Sequence, residues 1–217
     1  MIFTIAIASF GPQIATAQND QNSANAYFTG AIGASVAGFF EGDIGDGSDS
    51  SGDFDLSAGG RIAVGYTLFK DIRTEAELAY RRLNFADEFD NDQNVVQSEG
   101  NVAVTTFLVN AIYDFDSIVP NYDIYFGAGL GIANVDVGFN RDADFELIRG
   151  DYTAGAGQFR LGAERELANG MRLFADYTYL YMAEATFDGF ITAEGDTEQS
   201  FGAFDSHEWA IGLRVRF

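Results

Sequence analysis

His207-Glu208-Trp209-Ala210-Ile211-Gly212-Leu213-Arg214-Val215-Arg216-Phe217 sorts into two sets when read at every second residue. Trp209, Ile211, Leu213, Val215 and Phe217 form one set, which shares its parity with His207. Glu208, Ala210, Gly212, Arg214 and Arg216 form the other. Successive side chains of a β-strand point to opposite sides of the sheet. The stretch therefore reads as a strand with one wholly apolar face and one face that alternates small residues with charges.

The same division recurs upstream. In 72–85, Thr74, Ala76, Leu78 and Tyr80 oppose Arg73, Glu75, Glu77 and Arg81. In 56–67, Leu56, Ala58, Ile62, Val64 and Tyr66 oppose Ser57, Gly59, Arg61 and Gly65. In 152–165, Phe159, Leu161 and Ala163 oppose Gln158, Arg160 and Glu164, and in 171–184, Leu173, Ala175, Tyr177 and Tyr179 oppose Arg172, Asp176 and Thr178. Segments 26–37, 122–136 and 206–217 have strand patterning or Gly-aromatic strand composition. Segment 102–115 is a strand whose two faces are both largely apolar, so its orientation stays open.

The eight strands are joined by connections of two lengths. Leu68 to Asp71, Asp116 to Asn121 and Glu166 to Gly170 are short; Gly38 to Asp55, Ala86 to Asn101, Val137 to Asp151 and Ala185 to Asp205 are long. Long and short alternate strictly. An up-and-down barrel gives this pattern when its termini and short turns share one end. Pro120 falls in a short turn, where it removes no ladder hydrogen bond. The long connections carry the acid: Glu41, Asp43, Asp46, Asp49, Asp53 and Asp55 in the first, Asp87, Glu88, Asp90, Asp92 and Glu99 in the second, and Asp188, Glu194, Asp196, Glu198 and Asp205 in the fourth, none with a base.

Which face is inside follows from the basic residues. Of the 12, Arg61, Arg73, Arg81, Arg160, Arg172, Arg214 and Arg216 lie on strand polar faces, and Lys70 is the single lysine. Soluble surfaces use lysine freely, whereas arginine paired with carboxylates suits a confined polar interior. The apolar faces then meet lipid, where closure satisfies every backbone group. The expected fold is all-β: a closed antiparallel eight-stranded up-and-down transmembrane β-barrel. Arg61, Arg73, Glu75, Glu77, Arg81, Arg160, Glu164, Arg172, Asp176, Glu208, Arg214 and Arg216 are expected to line its interior. Opposite charges there have to pair, because a barrel of this size is only wide enough for side chains to fill it.

Bulk composition agrees. The chain has 217 residues, with 25 Gly, 21 Phe, 10 Tyr, 2 Pro and no Cys, and no long apolar run of the transmembrane-helix kind follows the first twenty positions. A net charge of −21 disfavours nucleic acid, whose phosphates need clustered Lys and Arg. An apolar run from Ile2 to Phe10 followed by Ala15-Thr16-Ala17 reads as a signal peptide over 1–17, although no base precedes the run; the alternative is a buried strand. Residues 18–25 then form a short N-terminal segment and 26–217 the barrel.

The stretch Asn110-Ala111-Ile112-Tyr113-Asp114-Phe115, a short turn, then Tyr125-Phe126-Gly127-Ala128-Gly129-Leu130-Gly131 resembles the opacity-protein and surface-antigen group of small porin-like outer-membrane barrels. The chain is also similar to the membrane domain of outer membrane protein A. The closing Phe217, with Val215, Leu213, Ile211 and Trp209 at alternate positions before it, resembles the assembly signature of bacterial outer-membrane barrels. The resemblance implies insertion by the barrel-assembly machinery of a Gram-negative bacterium, periplasmic termini and exposed loops amid lipopolysaccharide.

Three functions are open on these residues: a non-enzymatic envelope or adhesion protein acting through its loops on host or surface ligands, a narrow channel for ions or small solutes, and a lipid-modifying enzyme. The first is expected, as a monomer without cofactor or metal. Asp43-Ile44-Gly45-Asp46-Gly47-Ser48-Asp49-Ser50-Ser51-Gly52-Asp53 offers oxygen ligands for Ca²⁺ but lacks the EF-hand spacing and its closing Glu, so a solvated loop is expected. In Ser206-His207-Glu208 the flanking residues face away from the single histidine, which argues against a catalytic triad built there.

Overall fold

The computed structural model describes residues 25–37, 40–43, 49–54, 56–89, 95–96, 98–141, 146–168, 170–191, 195–201 and 203–217. The N-terminal apolar run and its cleavage pattern lie outside them. The strands are β1 (Ala26–Ala37), β2 (Phe40–Asp43), β3 (Asp49–Phe54), β4 (Ser57–Phe69), β5 (Ile72–Phe89), β6 (Val95–Val96), β7 (Ser98–Val119), β8 (Tyr122–Arg141), β9 (Glu146–Ala168), β10 (Met171–Met182), β11 (Ala185–Ile191), β12 (Gly195–Phe201) and β13 (Phe204–Arg216).

β1, β4, β5, β7, β8, β9, β10 and β13 pair antiparallel in that order. β13 then closes the ring on β1, in register from Tyr27 opposite Arg216 to Ala37 opposite Ser206. The expected eight-stranded barrel is the observed one. Its three short turns sit at one end. Asn121 takes a φ of 68° in the turn after Pro120, and Gly170 takes 74° in the turn before β10. Left-handed backbone of this kind is open to Gly and tolerated by Asn, which places these residue types where hairpins reverse.

At the other end the strands run beyond the expected boundaries. β5 continues to Phe89, β7 starts at Ser98, β8 reaches Arg141 and β9 starts at Glu146. The first and fourth long connections contain hairpins, β2–β3 and β11–β12. These join the sheet above the barrel: β3 pairs with β5, β11 with β9, and β2 with β12. Apolar alternation stops where the lipid stops, but a hydrogen-bonded ladder does not need apolar side chains to continue. A period-two reading therefore sees the membrane-spanning part and misses its extension.

Outward and inward faces divide as expected. Ile32 and Leu130 are 73% and 77% exposed, while Glu77 is 0% exposed. An apolar outside around a charged inside is the inverse of a soluble fold and is stable only in lipid. β7, left open by its sequence, turns Phe107, Val109, Ala111, Tyr113 and Phe115 outward and buries Val102, Val104, Thr106, Leu108, Asn110 and Ile112.

Candidate functional site

Among the described residues, the barrel interior is where charged side chains from many strands converge. Ten of them are buried, in equal numbers of each sign: Arg61, Arg73, Arg81, Arg160 and Arg214 against Glu75, Glu77, Glu164, Asp176 and Glu208. Inward parity on β4, β5, β9, β10 and β13 puts them there, and each meets an opposite charge within the lumen.

Near the middle, Arg61 Nη2 lies 2.5 Å from Asp176 Oδ2 and its Nη1 lies 2.9 Å from Glu208 Oε1. Arg81 Nε reaches the other oxygen of Glu208 at 2.7 Å, and its Nη1 donates to Thr106 Oγ1 at 3.1 Å. Arg160 Nη2 lies 2.5 Å from Glu77 Oε2, with Glu75 3.5 Å from its Nη1. Gln158 Nε2 donates to Glu77 at 3.2 Å and to Asn110 Oδ1 at 2.7 Å.

Toward the turn end, Arg73 Nη2 lies 3.1 Å from Asp114 Oδ1 and 3.7 Å from Glu164 Oε2. Arg214 pairs with Glu164. Arg172, half-buried at the rim, lies 2.7 Å from Glu164, 2.5 Å from Asp123 and 3.4 Å from Glu166. Arg216, expected in the interior, stands opposite the inward-facing Tyr27 but is exposed at the end of β13, at the rim of the lumen and not in its packed part.

The sequence reading missed the aromatic half of this network. Tyr27 donates its hydroxyl to Glu75 at 3.0 Å, and Tyr125 donates to Asp176 at 2.6 Å. The Arg73 guanidinium stands 5.7 Å from the centre of the Tyr27 ring and 4.9 Å from that of Tyr125; Arg214 stands 5.2 Å from Tyr27. Each ring lies over a glycine directly opposite it on the next strand, Tyr27 over Gly65 and Tyr125 over Gly162. A methyl group at Gly65 would stand 2.2 Å from the Tyr27 ring, and one at Gly162 2.4 Å from that of Tyr125. Those two glycines are therefore room for a ring.

The loop end of the interior is different in kind. Leu83, Val102, Val104, Leu108, Ala133, Val135, Ala156, Leu180 and Met182 pack there as one buried apolar cluster, with Tyr152 against it. The lumen is thus filled by salt bridges at one end and by hydrocarbon at the other. Among the charged side chains a void of about 10 Å³ remains, on the order of one water molecule.

The C-terminal residues Trp209, Ile211, Leu213, Val215 and Phe217 all lie on the lipid-facing wall, with Trp209 and Phe217 53% and 69% exposed. His207 faces the same side. Its Nδ1 is 2.5 Å from the Tyr177 hydroxyl and its Nε2 is 3.4 Å from Asp205 Oδ2. Ser206 and Glu208 are buried in the lumen, so the three neighbours do not converge. Among the described residues no group of three or more His, Cys, Asp or Glu side chains is placed to hold a metal ion; the Asp43–Asp53 loop lies partly outside them.

An eight-stranded barrel with a lipid-facing apolar wall, a neutralised interior and two ends of unequal length is an integral outer-membrane protein. The chain belongs to the outer membrane protein beta-barrel domain family, whose model matches residues 3–217. It is 25% identical over 178 residues to outer membrane protein PagN of Salmonella typhimurium, covering 73% of this chain and 72% of that one. In fold it is similar to OprG from Pseudomonas aeruginosa (TM-score 0.57, 14% identity, 90% of this chain and 97% of that one). Neisserial surface protein A is similar too (TM-score 0.55, 18% identity, 91% and 100%). The protein resides in the bacterial outer membrane.

Proposed function

We propose that this protein is a non-conducting, non-enzymatic surface protein, with both chain ends in the periplasm and its four long connections displayed outside the cell. The filled interior carries this reading. Every buried charge there has an opposite partner, the void among them is about 10 Å³, and the apolar cluster at the loop end offers an ion no ligand. A barrel sealed in this way leaves its extramembrane part as the working surface. The acidic residues of the first, second and fourth connections suit cationic host or surface ligands, or divalent ions shared with lipopolysaccharide phosphates. In the same reading the barrel is a monomer, and the closing residues through Phe217 serve the barrel-assembly machinery.

A narrow channel is the second reading, favoured by the run of paired charges from Arg172 at the turn end to Arg81 in mid-lumen. Single-channel recording of refolded protein in a planar bilayer separates the two, once unboiled and boiled samples are seen to migrate differently. A folded, electrically silent barrel is the expected result; reproducible steps altered by Arg160→Gln would overturn it in favour of the channel. Protease digestion of intact cells tests the topology, with cleavage expected in the long connections alone.

A further inference from the structure

The lipid-facing wall is not uniformly bulky. Thr74 on β5, Ala111 on β7 and Ala128 on β8 stand opposite one another across three neighbouring strands. The row is continued by Phe159 and Tyr179. One step toward the loop end, the parallel row runs Val109, Leu130, Gly157, Tyr181. Small residues in the first row and a glycine in the second leave an oblique trough of about 750 Å³ in the wall. Val109 and Leu130 form one bank, and Phe159, Tyr179 and Tyr181 form the other.

The floor is apolar in spite of its threonine. Thr74 donates its hydroxyl to the Asn110 carbonyl at 3.0 Å, so the polar atom is taken up by the wall. Gly155, the next outward residue of β9, has nothing within 4 Å of where its Cβ would stand, so the trough opens toward the loop end. Tyr179 and Tyr181 stand at that end and bring phenol hydroxyls, as residues at a membrane interface do.

We propose that the trough is a binding site for one acyl chain of an outer-leaflet lipid, held tail-down over Ala111, Ala128 and Gly157 with its ester or amide carbonyl at Tyr179 and Tyr181. A flexible chain follows an oblique trough. A second barrel does not: its wall is convex, and Leu130, 77% exposed, would hold it off. Depth also selects the occupant, since the site lies on strands that span the hydrocarbon, where acyl chains are the solvent. The assignment to the outer leaflet rests on the topology proposed above; the trough and its chain do not.

The test is lipid retention. Wild-type protein, extracted in mild detergent and exchanged extensively, is weighed by native mass spectrometry beside Gly157→Leu and Ala128→Leu. Both substitutions fill the trough from the lipid side, and a Cβ at Gly157 meets only the tip of Leu130 at 3.3 Å and a carbonyl oxygen at 3.7 Å. Heat-shifted migration on gels confirms that each variant folds. Wild type is expected to retain lipid and the variants to lose it on the order of tenfold, the worth of a few displaced methylenes. Equal retention in all three, or none in wild type, overturns the proposal. So does a wild-type dimer that Gly157→Leu dissociates, which would give the trough to a second copy. If cell-surface proteolysis reverses the topology while retention still follows the trough, the site stands and only its leaflet changes.

Discussion

Arg160 on β9 reaches across the lumen to Glu77 on β5, Nη2 to Oε2 at 2.5 Å, and Glu77 is 0% exposed. Two strands separate β5 from β9 along the wall, so this pair works as a tie-rod between facing staves. Removing one member leaves the other charged and dry, which costs about 3–5 kcal/mol where no partner remains. Arg160 keeps Glu75 and Asp176 nearby, at 3.5 and 3.8 Å; Glu77 keeps Arg61 at 4.0 Å. Glu77→Gln and Arg160→Gln are therefore expected to fall toward the lower end of that range. Glu77→Leu with Arg160→Met should be less destabilising than the sum of the two single changes, because the double variant strands no charge. Urea unfolding in lipid vesicles, read by the single Trp209, checks both points.

Tyr125 and Gly162 lead to a second expectation. The ring occupies the space of the side chain that Gly162 lacks, and its hydroxyl holds Asp176, which in turn holds Arg61. Gly162→Ala should force the ring aside and cost about 1–3 kcal/mol as overpacking, together with a weakened Asp176 contact. Tyr125→Leu in the Gly162→Ala background should recover part of the packing loss and none of the hydrogen bond. If Gly162→Ala unfolds at the same urea concentration as wild type, the ring is not packed against that strand.

These relations show what a linear reading reaches. The inward parity of Arg61, Glu75 and Arg160 was plain because a charge on one face and Leu or Phe on the other give maximal contrast. Val104, Leu108 and Leu180 were not recognisable as an interior plug, because neighbours such as Phe107, Val109, Tyr179 and Tyr181 are apolar or aromatic too and alternation loses its contrast. At Leu83, between Arg82 and Asn84, the contrast is reversed, with the apolar side chain inside. Tyr27 and Tyr125 could have been assigned inward by parity. Their seats on Gly65 and Gly162 depend on cross-strand register, which only the closed barrel supplies. The hairpins β2–β3 and β11–β12 lie in polar sequence with no apolar period to announce them.

The apolar plug carries its own electrical prediction. With the cluster intact, Arg160→Gln should remain silent in a planar bilayer, since loosening the charged end does not wet the other end. Leu83→Ala with Met182→Ala opens space at the loop end, at roughly 2–5 kcal/mol per truncation. Combined with Arg160→Gln, it should yield conducting steps in the fraction that folds. Steps from Arg160→Gln alone would mean that the apolar cluster does not seal the lumen.

Phe217 allows assembly to be separated from stability. Its ring is 69% exposed on the lipid face, and its backbone amide donates to the Ala26 carbonyl at 3.1 Å. Truncating the ring leaves that backbone tie and the β1–β13 ladder in place, so Phe217→Ala should change the urea midpoint of protein refolded in vesicles by less than about 1 kcal/mol. On the assembly role proposed above for this strand, a receptor that reads the Phe217 ring and the alternating apolar residues before it would nonetheless miss its ligand. In cells, the same variant is then expected to lower the amount of heat-shifted, membrane-inserted barrel several-fold while degradation rises. Ile211→Ala, which removes apolar surface from the same face but further from the terminus, serves as the comparison. If both variants insert in cells as wild type does, the terminal residues contribute wall and nothing more. If Phe217→Ala instead fails to refold in vesicles as well, its effect belongs to barrel closure and not to recognition during assembly.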